Sequence, residues 1–189
     1  FRFFEPIQMK VAYKHLINRI PSKPSIEDIS NKFFQLGHEH EIHEGIFNME
    51  LTPNRGDCLS INGLVRDLAV FYDITPSNEI YVEDIKPYML NFVNKVPKAC
   101  PHISFLKIDI EGDIKPYEGL LKDYFGDLNI NKNNFFTDIS NYISYEMGQP
   151  THCYDAKEIT DFISLEMIKG EHNFDSLLGK RIELTDENL

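Results

Sequence analysis

Gly45-Ile46-Phe47-Asn48-Met49-Glu50-Leu51 runs through Thr52-Pro53-Asn54-Arg55-Gly56-Asp57 into Cys58-Leu59-Ser60-Ile61, and the hydrophobic period changes within that stretch. Up to Leu51 apolar residues alternate with polar ones, the pattern of a strand with one buried face. Pro53, Asn54 and Gly56 supply turn chemistry. From Asp57 onward Ile61, Leu64, Val65, Leu68, Ala69 and Tyr72 recur at helical spacing, with Arg66 and Asp67 on the wet side. The segment therefore predicts strand, turn and amphipathic helix, with Asp57 capping the helix amides and Arg55 free to pair with a carboxylate. A structural elbow is the reading those residues favour. Cys58, with no histidine beside it in sequence, reads as a small buried side chain.

Working back from the elbow, Ser25-Ile26-Glu27-Asp28 has the form of a capping box, followed by Ile26, Ile29, Phe33 and Leu36 at helical spacing and by Gly37 as a stop. Residues 11–20, apolar at positions 12, 16, 17 and 20 and ending at Pro21, predict a further helix. Working forward, Thr75-Pro76-Ser77-Asn78 ends the helical pattern, and residues 76–96 read as an acidic linker containing a strand. Beyond it, strands are expected at 103–110, 135–139 and 163–168, with a helix at 116–125 and a strand-like stretch at 181–184. The expected fold class is α+β: a small helix-strand domain at 1–75, a linker at 76–96 and part of a larger mixed α+β domain at 97–189. The chain opens on Phe1 and reads as a piece cut from a longer one.

Among 189 residues, 19 basic side chains face 30 acidic ones, a formal charge of −11. A general polyanion binder needs the opposite balance to release counterions from phosphates, so DNA binding is excluded and RNA contact must be local or supplied by a partner. Three cysteines without a CxxC spacing argue against a zinc ribbon or a disulfide framework, and no apolar run reaches membrane-spanning length. A soluble, cytoplasmic protein is the expectation.

Two stretches concentrate chemistry. His38-Glu39-His40-Glu41-Ile42-His43-Glu44 would place His38 and His40 on one face if extended, a donor set that suits zinc, yet it reads better as a solvated connection after a helix stop. Asp138-Ile139-Ser140-Asn141-Tyr142 and Glu146-Met147-Gly148-Gln149-Pro150-Thr151-His152 bring hydroxyl, amide, imidazole and carboxylate groups to an expected strand end and a Gly-Gln-Pro turn. Such a turn lets backbone approach a small polar ligand closely. Taken alone, His152 is more often a satisfied histidine than a base.

The Thr-Pro-Asn-Arg-Gly-Asp-Cys-Leu run at 52–59, with Gly63 and Arg66-Asp67, resembles the B1 signature of the bacterial phenylalanyl-tRNA synthetase β-subunit family. The stretch from Asp138 to Asp155 resembles the signature of its B3/B4 region, in the same order and at matching separation, so the resemblance covers residues 9–189. It implies an αβ heterotetramer whose α subunit performs aminoacylation with ATP and magnesium, neither of which this fragment would hold. It also implies tRNA-Phe as partner, and a B3/B4 pocket that hydrolyses tyrosine wrongly esterified to that tRNA. On this resemblance Ser140 and Asn141 position substrate and water. Gln149 contributes to substrate binding, and His152 would hold the ligand or the 3′-terminal adenosine, with a base role as the lesser reading.

Several residues depart from the family pattern. Ser140 stands where threonine is commoner. Glu44 passes directly to Ile46 with no room for the inserted oligonucleotide-binding domain, and Lys132 is the one cation in the turn before Asp138. His102 and Ile103 follow Cys100-Pro101 where Arg and Tyr are usual, and the glycine-rich segment and glutamate of the family pocket fall beyond Leu189. An editing enzyme fragment and a scaffold with degenerate editing are the two functional expectations.

Overall fold

The computed structural model describes residues 7–75, 85–160, 162–175 and 181–185. The fold is α+β, as expected. The chain divides into two compact units, each built from two segments: residues 1–80 with 113–153, and residues 81–112 with 154–189.

The first unit is organised on an antiparallel three-stranded sheet in the order β1 (Ile7–Ala12), β3 (Ile46–Leu51), β2 (Glu39–His43). The elbow strand is its centre. In register, Val11 and Ile42 flank Phe47, and Met9 and His40 flank Met49. Strands β2 and β3 are joined by Glu44-Gly45, both at positive φ, the backbone a tight hairpin of type I′ requires. The helix expected over 11–20 is thus corrected. Residues 7–12 form an edge strand, and the helix α1 is confined to Tyr13–Ile17. The local period suited a helix, but pairing with β3 buries Val11 and Ala12 and overrides it. The His/Glu-rich stretch is also corrected, from solvated connection to strand β2, because alternation sends His40 inward.

Helix α2 (Ile26–Gln35) starts at Ser25, whose Oγ accepts the Asp28 N–H, and it is followed by Gly37 at φ 79°. Its Ile29 and Phe33 are fully buried against Phe47, Met49 and Leu51. The elbow itself is a single 3₁₀ turn, Gly56–Cys58, and helix α3 (Ile61–Leu68) begins three residues later than the sequence pattern suggested. Its cap is Ser60, not Asp57: the buried Ser60 hydroxyl accepts the Gly63 N–H at 3.0 Å. Ile61, Leu64 and Leu68 complete the core with Leu16, Ile20 and Cys58. At roughly 25 cal/mol per Å² of apolar surface, each such side chain contributes about 1.5–3 kcal/mol relative to exposure.

Helices α4 (Gly119–Asp127) and α5 (Phe135–Met147) close this unit. The strand expected at 135–139 is the first part of α5, a correction with a clear cause. A short apolar run carries no period of its own, whereas Asn134 caps the Phe136 and Thr137 amides and Gly148, at φ 71°, ends the helix. Tyr124 and Phe125 of α4 pack on Ala12, Tyr142 and Tyr145 in a second, aromatic cluster. Asp138 is fully buried and accepts the Tyr117 hydroxyl at 2.7 Å and the Asn133 N–H at 3.0 Å, which fixes the loop before α5 to the helix.

The second unit pairs β4 (Phe92–Asn94) in parallel with β5 (Ile163–Leu165), and β6 (His172–Asp175) antiparallel with β7 (Arg181–Leu184). Residues 103–110 are not in a strand, although their apolar alternation predicted one, and Leu106, Ile108 and Ile110 are exposed. None of this unit's described residues is buried. Residues 76–84 of the expected linker lie outside the described residues.

Candidate functional site

The residues singled out after Asp138 fall on α5 and the segment following it. Ser140 is buried; its Oγ donates to the Phe136 carbonyl at 2.9 Å and lies 3.4 Å from Cys153 Sγ. Thr151 Oγ1 donates to the Ser140 carbonyl at 3.4 Å, and Ser144 Oγ donates to the Gln149 carbonyl at 3.1 Å. The Gly-Gln-Pro turn is thereby folded back along the helix it terminates. Both neighbours of His152 touch Ser140, so the backbone at His152 runs along α5, and Asn141, Gln149 and His152 are all exposed. Consecutive positions on a helix diverge by about 100°, which is how Ser140 turns inward while Asn141 faces out. A hydroxyl has one proton to donate, and Ser140 gives its own to the helix; its acceptor capacity remains.

A denser polar cluster forms at the elbow, and it was not apparent from sequence. Arg55 donates to both Asp57 oxygens, at 3.0 and 3.1 Å, to Asp67 Oδ2 at 2.6 Å and to Cys58 Sγ at 2.9 Å. Arg66 pairs with Asp57 and Asp67. His38 Nε2 lies 3.0 Å from Asp67 Oδ2 and 3.9 Å from Cys58 Sγ. Asp67 is therefore a half-buried acceptor at the centre of the cluster, not a wet-side residue. Burial alone would raise its pKa, but the bonds from Arg55, His38 and Arg66 hold it below the usual carboxylate range. Arg55 keeps Asp57 well below that range too. Burial, then the Asp67 charge, pushes the Cys58 thiol up to about 12. A thiol so placed is not a nucleophile near neutral pH.

The other histidines of the stretch play different parts. His40 uses both ring nitrogens, one toward the His38 carbonyl at 3.0 Å and one toward the Ser30 hydroxyl at 2.8 Å, and its ring stacks on Phe34. His43 is exposed at the hairpin. A zinc site on His38, His40 and His43 together does not form.

The first unit also bears a shallow concavity lined by His15, Arg19, Tyr142, Tyr145 and Glu146, among others. His15 Nδ1 bonds the Tyr145 hydroxyl at 2.7 Å, and Nε2 lies 3.3 Å from Asp127 Oδ2, too poorly aligned for a hydrogen bond. Burial lowers the His15 pKa; the facing Asp127 opposes that shift without cancelling it. His15 sits 130 residues from its tyrosine, so no sequence spacing could have signalled this pair.

Residues 103–189 match the B3/4 domain family. The chain thus carries a B3/4 segment, which contains every site residue expected on α5 and after it. The chain is also similar to the phenylalanine–tRNA ligase beta subunits of Psychrobacter arcticus (30% identity over 154 residues, 76% of this chain), Rickettsia conorii (31% over 149 residues, 76%) and Rickettsia felis (32% over 148 residues, 76%). That similarity extends beyond the B3/4 segment into the first half of the sequence, where the elbow lies. The chain therefore shares a segment with phenylalanine–tRNA ligase beta subunits over about three quarters of its own length. It spans 18% of the length of each of these relatives. Among the described residues no helix is long and apolar enough to cross a membrane.

Proposed function

We propose that this chain is a part of a cytoplasmic phenylalanine–tRNA ligase beta subunit and that Asn141, Gln149 and His152, backed by Ser140, form one wall of a pocket that hydrolyses Tyr-tRNA(Phe). The observation that carries the reading is the pair of contacts from Thr151 and Cys153 to Ser140, which hold the segment bearing His152 against the helix that bears Asn141. The need for such a pocket is physical. A hydrophobic site built for phenylalanine rejects an analogue that only adds a hydroxyl by no more than about a hundredfold, so a second site must select for that hydroxyl. Ester hydrolysis there needs a positioned water and donors at the developing oxyanion, and exposed amide N–H groups and an imidazole are of that kind. Asn141 and Gln149 would bind and orient, His152 would hold the ligand or the terminal adenosine, and Ser140 would position the segment. Aminoacylation, with its ATP and magnesium, would be the work of the α subunit, with tRNA-Phe as common substrate. The 189-residue chain alone would neither aminoacylate nor edit efficiently.

A second reading, in which this part of the subunit serves as scaffold, draws support from the engagement of the Ser140 proton within α5 and from the net charge of −11. The test is deacylation of Tyr-tRNA(Phe) by the full-length subunit paired with its α partner, wild type against His152→Ala. The editing reading expects selective hydrolysis that falls about 10–100-fold in the variant, the loss of one or two ligand hydrogen bonds, with Phe-tRNA synthesis unchanged. Absence of deacylation in the wild type establishes the scaffold reading, and equal loss of both activities makes His152 structural.

A further inference from the structure

His38 Nε2, Cys58 Sγ and Asp67 Oδ2 converge from three separate elements: the turn after α2, the elbow and the face of α3. Their mutual distances are 3.9 Å between sulfur and nitrogen, 3.4 Å between sulfur and oxygen, and 3.0 Å between nitrogen and oxygen. A tetrahedral zinc ion with bonds of about 2.3 Å to sulfur and about 2.0–2.1 Å to nitrogen and oxygen sets donor separations of roughly 3.5 Å for the sulfur pairs and roughly 3.4 Å for the third. The three observed edges lie within a few tenths of an ångström of those. Asp57 Oδ2 lies 3.8 Å from the same sulfur but is not among the donors that converge, so the fourth corner falls to solvent.

A second observation shows that these donors select a cation. The Arg55 guanidinium bonds the Cys58 sulfur and the Asp67 oxygen with a single Nη2, so one positive charge is already bound by two of the three donors. Arg55 is a third exposed and can swing outward, whereas His38 and Cys58 are buried and fixed.

We propose that His38, Cys58 and Asp67, with solvent at the fourth position, form a binding site for a zinc-class divalent cation in competition with the Arg55 side chain. An N, S and O donor set suits zinc or cobalt and not magnesium or calcium, which take oxygen ligands. On binding, the Cys58 thiol gives up its proton to solvent and the sulfur bonds the metal as thiolate; no electron is transferred. One divalent ion with a thiolate, one carboxylate and a neutral imidazole leaves the site uncharged. The site rests on no part of the editing reading.

The probe is Co²⁺, titrated into the full 189-residue chain under reducing conditions, with absorption read in the visible and near ultraviolet. The site predicts tetrahedral d–d bands, a sulfur-to-cobalt charge-transfer band and stoichiometric displacement by Zn²⁺. Cys58→Ser should abolish the charge-transfer band, while Cys100→Ser and Cys153→Ser should keep it. Arg55→Gln should tighten binding by about tenfold, since the competing cation is gone. Absence of the band in the wild-type chain overturns the proposal, and needs no variant to fold. So does a band that survives Cys58→Ser, or an affinity that is unchanged or weaker in a folded Arg55→Gln chain.

Discussion

Gly63→Ala isolates the contact on which the elbow depends. A methyl group built at Gly63 meets the Asp57 carbonyl oxygen at 2.0 Å and the Cys58 Cα at 3.0 Å, both backbone atoms of the 3₁₀ turn. No rotamer change can relieve a clash between Cβ and backbone, so helix α3 must lift from the turn. That movement would loosen the Ser60 cap, the fully buried Cys58 and Leu64, and the Arg55–Asp67 ion pair together. Overpacking of this kind costs about 1–3 kcal/mol or more, against which the better helix propensity of alanine returns up to about 1 kcal/mol. A net loss of about 2 kcal/mol is expected. The control is Gly126→Ala in α4, exposed and with no atom within 4 Å of the added methyl. There only propensity acts, and a gain of about 0.5 kcal/mol is expected. Urea unfolding of the two variants should thus give opposite signs for the same chemical change. A Gly63→Ala chain as stable as wild type would show that α3 does not rest on the elbow backbone as described.

The pH dependence of stability should carry a component from His15. Its folded-state pKa lies below the unfolded value of 6.5, so the unfolded chain binds more protons between the two. That contribution is fully present above about pH 6.5 and is lost as pH falls toward the folded value; His15→Gln should flatten this part of a stability-against-pH curve measured by urea unfolding, and an unchanged curve counts against the assignment. The Asp127 contribution, from a carboxylate held down first by its hydrogen bond from Lys14, is present above about pH 3.8 and is lost in a lower window, so the two separate in one titration. Asp138→Ala removes the acceptor for the Tyr117 hydroxyl and the Asn133 N–H and should cost about 3 kcal/mol in thermal or urea unfolding, with a cost under 1 kcal/mol arguing that the loop before α5 is not anchored there.

Local signals in this sequence were reliable where one short segment decides the outcome. Ser25 caps α2 and Gly37 follows its end because capping and positive φ are properties of a few adjacent residues. Strand β3 was legible because its alternation serves one buried face. Two of the failures required a partner distant in sequence. Residues 7–12 became a strand only because β3 stands ready to pair with them, and the polar stretch 39–43 joined the sheet because the hairpin at Glu44-Gly45 folds it onto the same neighbour. The start of α3 was misplaced by three residues since Asp57 and Ser60 are both good capping residues, and only the tight approach of Gly63 to the turn decides between them.

The same distinction separates the two polar clusters. Ser140, Asn141, Gln149 and His152 lie within thirteen residues, so their proximity could be argued from sequence, although placing Asn141 outward and Ser140 inward required knowing that α5 is a helix. The elbow cluster draws on His38, Arg55, Asp57, Cys58, Arg66 and Asp67, and the reading of Cys58 as lacking a histidine held only along the chain. In space, the turn after α2 places His38 over the elbow as the chain enters β2, and α3 returns Asp67 nearly two turns into the helix. Charge placed in this way serves the fold first: two guanidiniums and two carboxylates joined across a turn fix the angle between β3 and α3, and Asp67 is half buried because four donors converge on it. A cluster that must be neutral to be buried also holds its donors at fixed spacing, which is why a structural elbow and a cation site can occupy the same atoms.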